Sequence, residues 1–177
     1  MNLPTAPADQ DEKKPYQKPQ PWGMPGDLVI DEVLTSDEKL WVPLGEKLWS
    51  RPLHLNTSVG YYVHVLRARR SGVLQRHRHS GPVHAYVMQG KWYYPEHDWV
   101  AVQGSYVFEP PGETHTLTVP DDCEEMITLF TVYGSLMYVD PHGNATGYDD
   151  VFTRIERYRQ HFEAVGLGAD YVKTFMR

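Results

Sequence analysis

The chain has 177 residues, 41% apolar and 23% charged, with a net charge of −6 from 17 basic and 23 acidic side chains. That is the composition of one globular domain with tails, and the acidic balance argues against nucleic acid as a partner, because phosphate binding rests on Lys and Arg. A single cysteine, Cys123, excludes an internal disulfide and a thiolate-rich zinc site; with no apolar leader and no run approaching the roughly 18 apolar residues of a membrane helix, a cytoplasmic protein is expected.

Residues 1–26 hold six of the fourteen prolines. Proline at that density suits neither a helix interior nor a central strand, so an extended arm is expected, ending near Trp22. Residues 27–140 read as many short strands. The β-forming runs are Tyr61 to Arg69, Val83 to Gln89, Ser105 to Phe108, Thr114 to Val119 and Met126 to Tyr133. Gly72, Gly81-Pro82, Gly90, Gly104, Pro110-Pro111-Gly112 and Pro120 punctuate them. Closely spaced strands with turn signals predict a sandwich or barrel, an all-β fold. The basic stretch from Arg67 to Arg70 reads as a strand with solvated positions. In residues 141–177 the period changes. Val151, Phe152, Ile155, Tyr158, Phe162 and Val165 recur at three- and four-residue spacing, which is one face of a helix. Asp149 or Asp150 is the expected N-cap and Gly166 the stop. The stripe is expected to pack on the barrel or on a partner subunit.

Nine histidines invite a search for a metal site. His77 and His79 form a His-x-His pair, and residues i and i+2 of a strand face the same side. His115 follows a Pro110-Pro111-Gly112 turn that delivers it to the start of the next strand.

These residues resemble the cupins, whose first motif is G-x5-H-x-H-x3,4-E-x6-G and whose second is G-x5-P-x-G-x2-H-x3-N. The first is met by Gly72, His77, His79 and Gly90, the second by Gly104, Pro110, Gly112 and His115. The resemblance implies a double-stranded β-helix, or jelly-roll barrel, with His77, His79 and His115 as metal ligands. There are departures. Gly72 and His77 are separated by four residues rather than five, and Val119 stands at the motif asparagine. Val83 stands where the motif has its glutamate ligand.

Three neutral imidazoles leave a divalent ion fully charged, so a carboxylate nearby is favourable. Glu96, on the segment after Gly90, is the expected fourth ligand, and His84 is the runner-up, although its side chain points away if Val83 faces inward. Glu109 and Glu113 flank the Pro-Pro-Gly turn and are read as solvated, and His97 as a turn residue. His54, His64, His142 and His161 are left structural. Trp92, Tyr93, Tyr94, Trp99, Tyr106 and Phe108 border the site; Tyr93, Tyr94 and Phe108 are the candidates to face a substrate, and an aromatic or apolar ligand fits them better than a sugar phosphate.

The proline-rich arm, the His77-Arg-His-Ser-Gly-Pro-Val-His84 run, the Tyr93-Tyr-Pro-Glu-His97 segment and the C-terminal helix make the chain similar to the cupin iron dioxygenases that cleave aryl hydroxyketones. That resemblance implies Fe(II) as cofactor, with 2,4'-dihydroxyacetophenone and O₂ giving 4-hydroxybenzoate and formate. It also implies Glu96 as ligand, and Glu96 could further serve as the base. The alternatives are a β-diketone-cleaving dioxygenase, a metal-binding cupin sensor without turnover, and a sugar isomerase or epimerase. A homo-oligomer is expected, with the arm and the C-terminal helix as exchange elements.

Overall fold

The structure is a computed structural model, and it describes residues 14–177. The first half of the expected arm, residues 1–13, lies outside the described residues. Residues 14–26 are exposed and form neither helix nor strand.

Among the described residues, twelve strands build two six-stranded sheets. They are β1 (Val42–Gly45), β2 (Leu48–Asn56), β3 (Tyr61–Ala68), β4 (Gly72–His79), β5 (Val83–Gln89), β6 (Lys91–Tyr93), β7 (Val100–Val102), β8 (Tyr106–Glu109), β9 (Thr114–Val119), β10 (Met126–Tyr133), β11 (Leu136–Val139) and β12 (Ala145–Asp149). One sheet has the order β1-β2-β3-β10-β5-β8 and the other β12-β11-β4-β9-β6-β7, with neighbours antiparallel. This is the jelly roll of a cupin. Strand alternation decides what enters the barrel. On β5, Val83, Ala85 and Val87 are buried, while His84 and Tyr86 face outward. These residues join Leu66, Trp92, Leu117 and Phe130 in the core between the sheets.

The C-terminal segment behaves as its period predicts. Helix α1 (Val151–Ala164) opens on a capping box in which the Asp150 carboxylate accepts from the Thr153 amide and the Thr153 hydroxyl accepts from the Asp150 amide. Its inner face carries Val151, Tyr158 and Phe162, and also Arg154, which the apolar stripe does not contain. Phe152, counted in that stripe, is exposed. A 3-10 stretch, Ala169–Phe175, folds back on α1 through Val172 and Phe175.

The Arg67 to Arg70 stretch divides. Arg69 and Arg70 are exposed, but Arg67 is only 4% exposed. Its guanidinium lies 4.1 Å from the Trp41 ring and 4.7 Å from the Trp49 ring, and it donates to both carboxylate oxygens of Glu38 at 3.1 and 2.6 Å. A planar, weakly hydrated cation suits a slot between two indoles. No helix among the described residues is long and apolar enough to cross a membrane.

Candidate metal centre

Strand register assembles three histidines. His77 and His79 share the inner side of β4, separated by the exposed Arg78. β9 runs antiparallel beside β4 and sets His115 directly opposite His77. The turn between β8 and β9 is tied to β4, because the Gly112 amide donates to the His79 carbonyl at 2.9 Å. All three imidazoles are buried, at 3%, 2% and 0% exposure.

The carboxylate beside them is Glu109. Glu109 ends β8, where Tyr106 and Phe108 face outward and Val107 and Glu109 inward. It is 3% exposed, so the reading of it as solvated is corrected. The β8–β5 pairing places it opposite Val83, the position that lacks the motif glutamate. An acid from the neighbouring strand thus enters the space that Val83 leaves without one.

The donor atoms converge. His77 Nε2 and His79 Nε2 lie 3.1 Å apart, and His79 Nε2 and His115 Nε2 lie 2.7 Å apart. Glu109 Oε2 is 2.9 Å from His79 Nε2 and 3.5 Å from His115 Nε2. An ion with bonds of about 2.1 Å holds its adjacent ligand atoms roughly 3 Å apart, so this spacing fits a metal. Glu109 Oε2 has no hydrogen-bond partner among the described residues, and neither has Nδ1 of the three histidines. Buried acceptors and donors are expensive to leave so, and an ion would engage the carboxylate and the Nε2 atoms directly. Burial, with repulsion from the neighbouring imidazoles, holds His77 well below the ordinary histidine range, and burial first pushes His115 down to about 3. Both are neutral at pH 7, which is the ligating form. The chemistry fits a divalent ion that takes nitrogen and oxygen ligands.

Tyr94 supports the group from behind. Its ring stacks on His115 at 3.7 Å between centroids, and its hydroxyl donates to Glu109 Oε1 at 2.8 Å. Burial, followed by the Glu109 charge, raises the Tyr94 hydroxyl well above its ordinary value, so it remains a donor.

The other expected site residues stand elsewhere. Glu96 is not among the convergent groups. Its carboxylate accepts from the Thr116 amide at 3.0 Å and the Thr116 hydroxyl at 2.7 Å. Thr116 follows His115 on β9 and therefore faces the opposite side of the strand, which places Glu96 outside the barrel wall. His84 points out from β5, with Nδ1 2.7 Å from the Tyr106 hydroxyl. Phe108 is exposed on the same outer face and Tyr93 is half-buried on β6; of the three substrate-facing candidates only Tyr94 lines the cavity. His97 lies 2.9 Å from Glu113, whose other oxygen is 3.8 Å from His115 Nδ1.

His77, His79 and Glu109 open on a cavity of about 20 Å³ bounded by Leu66, Val83, Leu117, Phe130, Val132 and Leu136, and by three polar groups, His64, Gln75 and Arg154. That is room for about one water. His79 also borders an open groove of about 360 Å³ formed with Arg78, Ser80, Pro111, Gly112, Ser135 and Met137. Sequence reasoning left His64 structural and passed over Arg154, because neither lies in a motif.

The model of the ChrR cupin-like domain family matches residues 30–137. The structure is similar to an RmlC-like cupin protein from Ralstonia eutropha, with 31% identity, 71% of this chain and 83% of that chain covered, and a TM-score of 0.68. It is also similar to an acetylacetone dioxygenase from Acinetobacter johnsonii, at 17% identity with 84% of this chain and 99% of that chain covered and a TM-score of 0.64. The second likeness is one of fold alone. No curated protein matches the chain.

Proposed function

The chain belongs to the ChrR cupin-like domain family, and we propose that within it the protein is a non-haem iron dioxygenase. Its reaction would cleave the bond between the carbonyl and hydroxymethyl carbons of an aryl hydroxyketone. The observation that carries this reading is the buried group His77, His79, His115 and Glu109, three of whose members line a cavity. Four protein ligands leave open positions on a six-coordinate ion, which suits turnover better than a closed structural site.

Iron held there would act as a Lewis acid on the two substrate oxygens and bring substrate and O₂ together, the electrons for O₂ coming from the substrate. The rest falls to the chain. Glu109 offsets one of the two metal charges. Tyr94 fixes the Glu109 carboxylate and the His115 ring. Leu66, Leu117, Phe130 and Val132 keep water out, which strengthens the electrostatics inside. Of the groups bordering the cavity, His64 is the one outside the ligand set able to accept a proton from substrate. Burial keeps it neutral, and its Nδ1 is 2.8 Å from the Ser50 hydroxyl, itself 2.7 Å from the Tyr158 hydroxyl. The groove of about 360 Å³ that His79 also borders is open enough to take the aryl ring. The fold shared with an acetylacetone dioxygenase supports oxygen chemistry in such a barrel and makes β-diketones the competing substrate class.

The test is O₂ uptake by the Fe(II)-loaded protein with 2,4'-dihydroxyacetophenone and, separately, acetylacetone. Uptake with the first, matched one-to-one by formate, supports the reading. Uptake with acetylacetone alone replaces the substrate class. Bound iron with no uptake from either removes the oxygenase assignment.

A further inference from the structure

His77, His79 and Glu109 of the candidate metal group line the cavity, and so does an arginine that no motif contains. Arg154 is 1% exposed and projects from the inner face of α1 into the barrel. Its guanidinium is incompletely used. Nη2 bonds Asp149 Oδ2 at 2.9 Å, and the Tyr62 ring lies 5.3 Å away. Among the described residues, Nε and Nη1 have no hydrogen-bond partner. Asp149 does not take them up. Its carboxylate already accepts the Tyr138 hydroxyl at 2.6 Å and the Thr153 hydroxyl at 3.1 Å, and Arg157 stands 3.7 Å away.

Two buried donors thus remain on an arginine that lines the cavity. Buried N–H groups without acceptors are costly, and those of a guanidinium more so. The charge count says what would satisfy them. A divalent ion on three neutral imidazoles and the Glu109 carboxylate retains one positive charge. The Arg154–Asp149 pair adds none. A monoanion therefore brings the cavity to neutrality, whereas a neutral ligand leaves it positive and a dianion overshoots.

We infer that Arg154 is an oxyanion-binding residue, delivered by the C-terminal helix, and that the space of about one water beside it takes the anionic oxygen of a compact monoanion, a carboxylate or an enolate. The inference rests on the dioxygenase reading only where it identifies that monoanion with the ionised substrate. Arg154 would hold the anionic oxygen by charge-assisted hydrogen bonds while the ion holds the chelating end. The small free volume then selects the head group by charge and size together.

The experiment uses the full chain, ¹⁵N-labelled, in metal-free and Zn(II)-loaded states, titrated with acetate up to about 50 mM and, as a neutral isostere, acetamide. The Arg154 Nε–H signal is followed. It is assigned by its loss in the variant Arg154→Met/Asp149→Asn, which removes both charges together. The expected result is a saturable shift with acetate and none with acetamide. Calorimetry should show acetate affinity at least tenfold weaker in the double variant. If that variant does not fold, Arg154→Lys, which keeps the charge and lacks the Nε–H, assigns the signal. An Nε–H signal unmoved by acetate in both states overturns the inference and leaves only water in the cavity. Anion binding without O₂ uptake supports it while the oxygenase reading fails. O₂ uptake with an unmoved Nε–H signal overturns it alone.

Discussion

Tyr94 lies flat against His115, with ring centroids 3.7 Å apart and planes 8° apart, while its hydroxyl donates to Glu109. One side chain thus restrains two members of the metal group from a position outside it. Tyr94→Phe keeps the stacking and frees Glu109 Oε1. Partners of this kind are worth ~10–100-fold in metal affinity. A competition titration with a chromophoric chelator should place Tyr94→Phe in that range and Tyr94→Ala beyond it. Unchanged affinity in both would mean that Glu109 is held by the ion alone.

The two glutamates separate cleanly. Glu109 converges with the histidines, and Glu96 is spent on Thr116 outside the wall. Glu109→Gln should lose most of its bound metal, or hold it far more weakly. Glu96→Gln should keep wild-type metal content and lose at most about 1–2 kcal/mol of stability as one hydrogen-bonded acceptor is weakened. Metal analysis after gel filtration reads both. The reverse pattern would return Glu96 to the ligand set.

Acid should loosen the fold in a defined window. Burial holds His64 and His77 well below the ordinary range and His115 at about 3. Each binds its proton less readily folded than unfolded, so the unfolded chain protonates first as pH falls. The stability that their neutrality preserves is complete above the unfolded value of about 6.5 and declines below it. The slope is up to about 1.4 kcal/mol per pH unit for each histidine. The Tm of the metal-free protein should therefore fall between about pH 7 and pH 5, and His64→Gln should make the fall shallower. A Tm flat across that window would contradict the assignment.

Gly90 turns the chain from β5 to β6 with φ 72°. A Cβ there would strike the Glu125 carbonyl oxygen and come within 2.9 Å of Cys123 Sγ. Gly104 also has a positive φ, 87°, but faces open space. Gly104→Ala should cost about 1–2 kcal/mol from backbone strain alone, and Gly90→Ala about 2–4 kcal/mol from strain plus overlap. Urea unfolding midpoints measure the difference. Equal costs would show that the Glu125 segment yields freely.

The barrel was legible because its signals are local and periodic. Alternation along Val83 to Gln89, the glycine punctuation and the three- and four-residue spacing of α1 each appear in the fold. The His-x-His pair and the histidine after Pro-Pro-Gly meet because β4 and β9 are neighbours, a pairing that the motifs encode. The carboxylate was harder. Glu109 adjoins a turn, which suggested solvent, yet its parity with Val107 places it inward, and that signal was available. Arg154 and Arg67 were obscured for another reason. Each is a cation whose burial depends on partners far along the chain: Arg67 on Glu38 and the two indoles, Arg154 on a barrel interior that α1 reaches only after the strands close. No local pattern distinguishes them from solvated arginines.

The four convergent groups come from both halves of the jelly roll. His77, His79 and His115 stand on β4 and β9 of one sheet, and Glu109 on β8, the edge of the other. An ion bound to all of them is a rivet across the seam where the sheets meet. β8 pairs on one side only, with β5, so this rivet would add to that pairing and to the Tyr94–Glu109 hydrogen bond. Loading to a thousandfold above the dissociation constant would add about 4 kcal/mol to global stability. Locally, amide exchange along β8 should slow more than along β10, which is already paired on both sides. Chelation would thus do more than switch off chemistry: it would unfasten the edge strand and leave the barrel free to part there first.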